Sequence, residues 1–412
     1  MGEILFLAHR IPWPADRGDK IRSFNILRYL SEMAPVHVGA FADDDRDMGF
    51  VPEMEPLFAS THVELRDKPQ WRAGVEALKN GTPVSVESFA SDTMQAWVKE
   101  QITAQNITHI FVFSGQMAQY IPDNFAGRVV MDFVDVDSAK FASYAKSGNP
   151  VMRWINAREA KKLAVFEQLI AKRADCNLLV SEAEAAMFRS GGMLGPDKVK
   201  ALSNGIDTIF YDPRAGFELP KKLIHGQIIA FTGQMDYRPN IEAVCDFAQG
   251  AFQKIRGRNS KAIFAIVGRN PAPAVLALRQ IPGVMVTGAV DDVRSWLAVA
   301  DVIVAPLKIA RGIQNKVLEA MAMAKPVIVS PAAAEGIDAR DGSHFIIAAT
   351  ADTQADAVLL LLADKAKRTR LGNDARGHVV QHYGWARQLQ SLNQIMDLRP
   401  ILAETALAEA AE

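Results

Sequence analysis

The stretch "ARGIQNKVLEAMAMAKPVIVS", residues 310–330, places Arg311, Gln314, Asn315, Lys316 and Glu319 at the start of an apolar helix that runs into a buried strand. It follows another apolar run, "ADVIVAPL", so strand, polar loop, helix and strand succeed one another within about thirty residues. That rhythm is the signature of a parallel sheet, because parallel neighbours need a crossover, usually a helix. Working outward, the same alternation fills the chain. "QIIAFTG", a helix from Asn240, "AIFAIVG", "VMVTG", "ADVIVAPL" and "PVIVS" form one set after Asn204-Gly205. Before it, "EILFLA", "VHVGAFA", "ITHIFVFS", "RVVMDFVDV" and "CNLLVS" form another, with Ile21, Phe24, Leu27 and Leu30 at helical spacing after the loop "HRIPWPADRGDK". Continuous apolar strands alternating with helices predict α/β domains whose sheets are covered on both faces.

Length and composition fit this reading. A chain of 412 residues suits two domains of about 200 residues each. Hydrophobic residues at 49% and charged residues at 23% describe a globular chain, and the net charge of −1 gives no overall basic field for nucleic acid. The opening "ILFLA" is too short for a signal-peptide core, and the longest apolar stretch, "ITHIFVFSGQMAQYIP", is broken by polar residues. A cytoplasmic location is therefore expected. Cys176 and Cys245 lie in different halves, and the histidines show no metal spacing, so neither a disulfide framework nor a metal site is predicted.

Open α/β sheets bind ligands at the carboxyl ends of their strands, which directs attention to the loops after "ILFLA", "RVVMDFVDV", "AFTG" and "VIVAPL" around one expected cleft. At the start of the helix after "VIVAPL", free backbone N–H groups and a partial positive charge suit a phosphate. Lys316 adds a full charge, and Arg311 can add a bidentate donor. Glu319, four residues after Asn315, can accept both hydroxyls of a ribose, or it can simply pair with Lys316 on the surface. In the other half, Gly18 between Arg17 and Asp19 is read as letting backbone approach a diphosphate, with an ordinary turn glycine as the alternative. Asp132, Asp135 and Asp137 end a strand; Asp135 and Asp137 are the better candidates to hold an acceptor hydroxyl or act as a base. Asp291-Asp292 reads as the cap of the helix "VRSWLAVA", with Val290 offering backbone contacts to a base.

"NKVLEAMAMAKPVIVS" resembles the donor-site signature of glycosyltransferase family 4, whose members have the GT-B fold of two Rossmann-like domains facing each other across a deep cleft. Supporting pieces occur in order along almost the whole chain: "PWPADRGDKIRSFNIL", "LSNGIDTIFYDP", "FTGQMDYRPNIEAV" and "VTGAVDDVRSWLAVADVIVAPL". "DFVDVDSAKF", "MDYRPN" and "ARGIQNKVLEAMAM" are most similar to the sugar transferases of exosortase/PEP-CTERM exopolysaccharide systems. The resemblance implies an N-terminal acceptor domain over 1–203, a donor domain over 204–384, and a helix over 385–412 crossing back to the N-terminal domain before a frayed tail. It also implies transfer of a sugar from a nucleoside-diphosphate sugar to a glycan or polyprenyl-linked acceptor, with retention of configuration and no metal or other cofactor. Donor contacts are expected from Gly18, Gly233, Arg238, Val290, Gln314, Asn315, Lys316 and Glu319, and acceptor contacts from Arg17, Lys20 and Asp135. Asp135, Asp137, Arg311 and Lys316 are the expected catalytic groups.

The sequence departs from the family at one position. The signature usually carries two glutamates eight residues apart; Glu319 is the second, and Arg311 occupies the place of the first. The first loop of the donor domain also offers Arg238 without its usual lysine partner. Two other readings remain open, a non-catalytic nucleotide-sugar-binding paralogue and a nucleotide-sugar 2-epimerase. Residues 146–173 carry Lys146, Arg153, Arg158, Lys161, Lys162, Lys172 and Arg173, with Leu163, Phe166 and Ile170 as an apolar face and Trp154 at its start. This segment reads as a peripheral contact with anionic membrane or as the solvated face of a core helix.

Overall fold

The computed structural model describes residues 2–398 apart from 16, 147–148, 193, 221–225 and 311–312. The chain divides into two units, one of residues up to Asn204 together with those from Gln388, the other Gly205–Arg387. Each is an α/β domain around its own parallel sheet.

The first sheet contains β1 (Glu3–Ala8), β2 (Val36–Ala42), β3 (Ser60–Leu65), β4 (Ile107–Phe113), β5 (Arg128–Val134), β6 (Cys176–Leu179) and β7 (Val199–Ala201). They run parallel in the order β3-β2-β1-β4-β5-β6-β7. Leu5 lies opposite His37 on one side and Ile110 on the other. Residues Ile4 to Ala8 have no exposed surface, as expected of a central strand covered on both faces. The second sheet contains β8 (Gln227–Thr232), β9 (Ala262–Val267), β10 (Val284–Gly288), β11 (Val302–Ala305), β12 (Val327–Val329) and β13 (Ile346–Ile347), in the order β10-β9-β8-β11-β12-β13. Strand order reverses between β1 and β4 in one sheet and between β8 and β11 in the other. At those points neighbouring loops diverge and leave a crevice, so the loops after β1 and after β11 are the natural ligand positions of the two units.

Two short joins hold the division. Gly205 meets the 383–385 segment so closely that a Cβ would stand 2.6 Å from Trp385 Cα. Ile206 N–H donates to Tyr383 O at 2.7 Å. The chain then returns to the first unit, where Tyr29 donates to Asn393 Oδ1 at 2.9 Å and Arg128 to Ile395 O at 2.6 Å. The tail expected to fray lies outside the described residues.

Two expectations about helices are corrected. The helix Gly18–Ser31 buries Lys20, Arg22, Ser23, Ile26, Leu27 and Leu30, whereas Ile21 is exposed and Phe24 only partly covered. Its buried face therefore includes charge, and Arg22 provides the reason: its guanidinium grips Asp132 of β5 at 2.9 and 3.2 Å. In the helix Pro150–Arg173, Leu163 and Ile170 are buried and Phe166 packs against the core, so that apolar stripe faces inward and offers nothing to a membrane.

Candidate functional site

The helix Asn315–Ala322 starts one loop after β11 and buries Val317, Leu318, Ala320, Met321 and Ala322 against the sheet. That packing fixes its opposite edge, which carries Lys316 and Glu319. Lys316 Nζ donates to Asn240 Oδ1 at 2.5 Å and lies 4.5 Å from the centre of the Phe231 ring. Asn240 is itself oriented by donating to Gln234 O at 2.8 Å. An amide oxygen and a ring face are weak company for a buried ammonium. Burial lowers the Lys316 pKa to about 8, and the charge of Glu319 only partly opposes this.

Glu319 sits deep among protein atoms while keeping part of its surface open. Burial raises its pKa; a hydrogen bond from Tyr211 and the charge of Lys316 work against that rise. Tyr211 is in turn held by Arg376, which donates to Tyr211 O at 3.0 Å and pairs with Asp212 at 2.7 Å. The same guanidinium donates to Ala322 O at the end of the signature helix. Tyr211 and Arg376 thus fix the chain around Asp212 to that helix, two contacts that no sequence pattern announced.

Gly233, immediately after β8, closes the other side of Lys316. A Cβ there would stand 2.8 Å from Asn240 Nδ2 and 3.1 Å from Lys316 Nζ, so the lysine's position depends on glycine. Thr232 Oγ1, next to it, is buried with no hydrogen-bond partner among the described residues. Arg238 opens the helix Arg238–Gln249, stands 88% exposed in its side chain and pairs with Glu242 at 2.7 Å. Val290 packs partly buried against the core of this unit. Asp292 caps Val293–Val299 by accepting from Arg294 N–H, as expected. Gln314 is the N-terminal boundary residue of the signature helix, and Asn315 is exposed. Arg311 lies outside the described residues.

In the first unit the loop after β1 is a network of ion pairs. Arg10 bridges Asp19 at 2.5 Å and Asp43 at 2.6 Å, and Arg17 stands 3.5 Å from both Asp43 and Asp47. Burial by itself would raise the Asp19 pKa, but hydrogen bonds from His9 and Arg10 outweigh it and hold the group well below the usual range. Lys20, expected to meet an acceptor, is instead fully buried and bonded to Asp47 at 2.7 Å. It holds the loop. A Cβ on Gly18 would meet nothing within 4 Å, so no internal contact requires glycine there. His9, overlooked in the sequence, stacks on Phe113, and its Nδ1 is buried without a partner among the described residues.

The three aspartates after β5 separate. Asp132 is wholly buried and serves Arg22. Beyond it, Asp135 N–H donates to Phe133 O at 2.9 Å around Val134, whose φ is +68°. This is a γ-turn of the rare positive-φ kind on a β-branched residue, a strained shape that persists only under restraint. Asp132 supplies restraint by accepting from Val134 N–H at 3.1 Å, and Val180 N–H donates to Val134 O at 2.7 Å. The turn presents Asp135 to solvent. Burial first, then the nearby Glu184 and Asp137, raise the Asp135 pKa. Asp137 pairs with Lys140 at 3.3 Å and lies near Gln116.

Residues 226–364 match the family of glycosyl transferases group 1. No curated protein matches the chain. Among solved structures, HepE of Anabaena in complex with UDP and glucose superposes with a TM-score of 0.61 at 16% identity, covering 96% of this chain and 100% of that one. Sucrose-phosphate synthase of Thermosynechococcus elongatus gives 0.61 at 18% identity, covering 99% and 100%. A glycosyltransferase of Rickettsia africae gives 0.61 at 13% identity, covering 96% and 97%. Similarity at these identities establishes architecture: the chain has the GT-B fold, and the match to glycosyl transferases group 1 falls within its second unit.

Proposed function

We propose that this protein is a glycosyltransferase that moves a sugar from a nucleoside-diphosphate sugar to a glycan or lipid-linked acceptor. The observation that carries this reading is the desolvated Lys316 in the first turn of the helix after β11, with Glu319 three residues on, at a switch point of a matched glycosyltransferase domain. A cation held by an amide and a ring gains most from an anion, and a diphosphate supplies one. Glu319, one turn further, accepts the ribose hydroxyls in place of the Tyr211 hydroxyl. HepE has been crystallised with UDP-glucose, which supports a donor of this class.

In the reaction, the bond between the anomeric carbon and the diphosphate oxygen breaks, and a bond to the acceptor oxygen forms. The acceptor's proton passes to a base, and the diphosphate departs with the electron pair. Lys316, Arg311 and the helix N-terminus stabilise charge that develops on the leaving group, an effect larger in the transition state than in the bound donor. Asp135, exposed on its restrained turn with a raised pKa, is the group we assign to the acceptor hydroxyl, with Asp137 as its alternate and Arg17 as a further acceptor contact. Retention of configuration, independence of metal and a place in exopolysaccharide synthesis follow from the family 4 and PEP-CTERM resemblance and form part of this proposal.

Incubation with nucleotide sugars, with and without glycan acceptors, tests it. Nucleotide release that depends on acceptor is the expected result. Donor isomerisation without acceptor would make the protein an epimerase, and tight binding without turnover would make it a non-catalytic relative.

A further inference from the structure

Two helices of the first unit carry large apolar side chains that the fold leaves uncovered. The helix Pro150–Arg173 begins firmly, with proline in its first turn and Asn149 accepting from Met152 N–H at 2.9 Å. Yet its buried residues begin only at Glu159, and Val151, Met152, Trp154 and Ile155 all stand exposed, Trp154 at 60%. A helix does not project more than a full turn of apolar surface into water for its own stability. The second helix, Gln70–Asn80, buries Ala73 and Ala77 and turns Trp71, Val75 and Leu78 outward, with Trp71 73% exposed. Their spacing of four and three residues aligns them on one face.

The two surfaces adjoin. Arg158, one turn after Trp154, donates to Ala77 O at 2.7 Å, next to Leu78. Charge identifies what covers them. Lys79, Arg153 and Lys161 are exposed around the apolar side chains. The nearby carboxylates are engaged: Glu76 pairs with Lys68 at 3.0 Å and Arg72 at 2.9 Å, while Glu159 turns inward to accept from Val84 and Ser85 N–H at 2.8 and 2.9 Å. An uncovered apolar patch marks an interaction surface. One with tryptophans among cations fits the boundary of an anionic bilayer, where indole rings sit at headgroup depth and basic side chains meet lipid phosphates. No helix among the described residues is long and apolar enough to cross a membrane, so the contact is one of lying on the surface.

We propose that the outward faces of Gln70–Asn80 and of the first turns of Pro150–Arg173 form one docking surface for anionic lipid, with Trp71 and Trp154 as its anchors. This relocates the membrane contact expected from residues 146–173: the helix's exposed beginning engages lipid, and its Leu163 and Ile170 stripe belongs to the core. The inference does not depend on the transferase reading, because its test measures binding alone.

The full-length chain is sedimented with vesicles of equimolar phosphatidylglycerol and phosphatidylcholine, and with vesicles of phosphatidylcholine only. Partition into the anionic vesicles at low salt is expected. Lys161→Ser should weaken it about fivefold. Trp71→Ser with Trp154→Ser should weaken it on the order of 100-fold, as two rings lose their burial. Brominated acyl chains should quench wild-type tryptophan fluorescence more than that of the double variant. All three substitutions lie on exposed positions, so unchanged melting temperatures certify the fold. Three results would overturn the proposal: no partition at low salt, partition unaltered in the tryptophan double variant, or a concentration-dependent self-association abolished by that variant, which would assign the face to a second copy of the chain.

Discussion

Lys20 and Lys316 occupy matching places: each sits in the first turn of a helix that follows a central strand, β1 in one unit and β11 in the other. Their surroundings differ. Lys20 is bonded to the Asp47 carboxylate, within a network that also includes Arg10, Arg17, Asp19 and Asp43. Lys316 meets an amide oxygen and a ring face, and burial lowers its pKa. The first lysine has its counter-charge supplied by the chain. The second feels the charge of Glu319 but makes no ion pair among the described residues, and a ligand anion can provide one. Position in the fold nominates a site, and electrostatic completeness decides whether it is open.

The largest expected effect separates the two residues by function. Lys316→Met should lower turnover with a nucleotide sugar by a factor on the order of 100 to 1,000, the usual loss for one preorganised donor, while stability moves by less than about 1 kcal/mol. Steady-state kinetics and urea unfolding check both halves. Lys20→Met should do the reverse. It removes the closest cation from the buried Asp47 carboxylate and leaves Arg17 at 3.5 Å, so unfolding free energy should fall by about 3 kcal/mol, with donor affinity of the folded fraction unchanged. If Lys20→Met abolishes donor binding at full stability, the contrast fails.

A smaller effect comes with pH. The pKa of Lys316 in the free protein is lowered to about 8 from an ordinary 10.5. A bound diphosphate favours the charged ammonium, so the pKa is higher in the complex. Affinity is therefore fully present below about pH 8 and is lost as pH rises through that value, by up to tenfold per unit. Titration calorimetry between about pH 7 and pH 9.5 should show this slope in wild type and not in Lys316→Met.

These contrasts also show what a sequence can carry. Central strands such as "ILFLA" and "VIVA" read directly, because burial on both faces demands an unbroken apolar run. The three strands that escaped, β3, β7 and β13, are all at sheet edges. An edge strand has one neighbour and a partly open face, so "STHVEL" keeps polar residues throughout and gives no such run. That Glu319 and Lys316 share one helix edge was legible because they lie within one helical turn, and their assignment to the donor remains a proposal. Lys20 was misread because its partner lies 27 residues away. Arg22 was hidden for the same reason, with Asp132 110 residues distant. A buried ion pair across a fold leaves two isolated charges in the sequence, and each resembles a binding residue until its partner is seen. Tyr211, the hydroxyl that satisfies Glu319 in the free protein, belongs to the same class.

Nucleotide binding by wild type and Glu319→Ala tests the central claim most directly. A nucleoside diphosphate at 100 times its dissociation constant should stabilise the wild-type protein by about 2.7 kcal/mol in thermal or urea unfolding. Glu319→Ala should fold and lose most of that stabilisation, because the ribose hydroxyls no longer meet a carboxylate. A folded Glu319→Ala protein that binds the nucleotide as tightly as wild type would contradict the assignment of the donor site to the helix Asn315–Ala322.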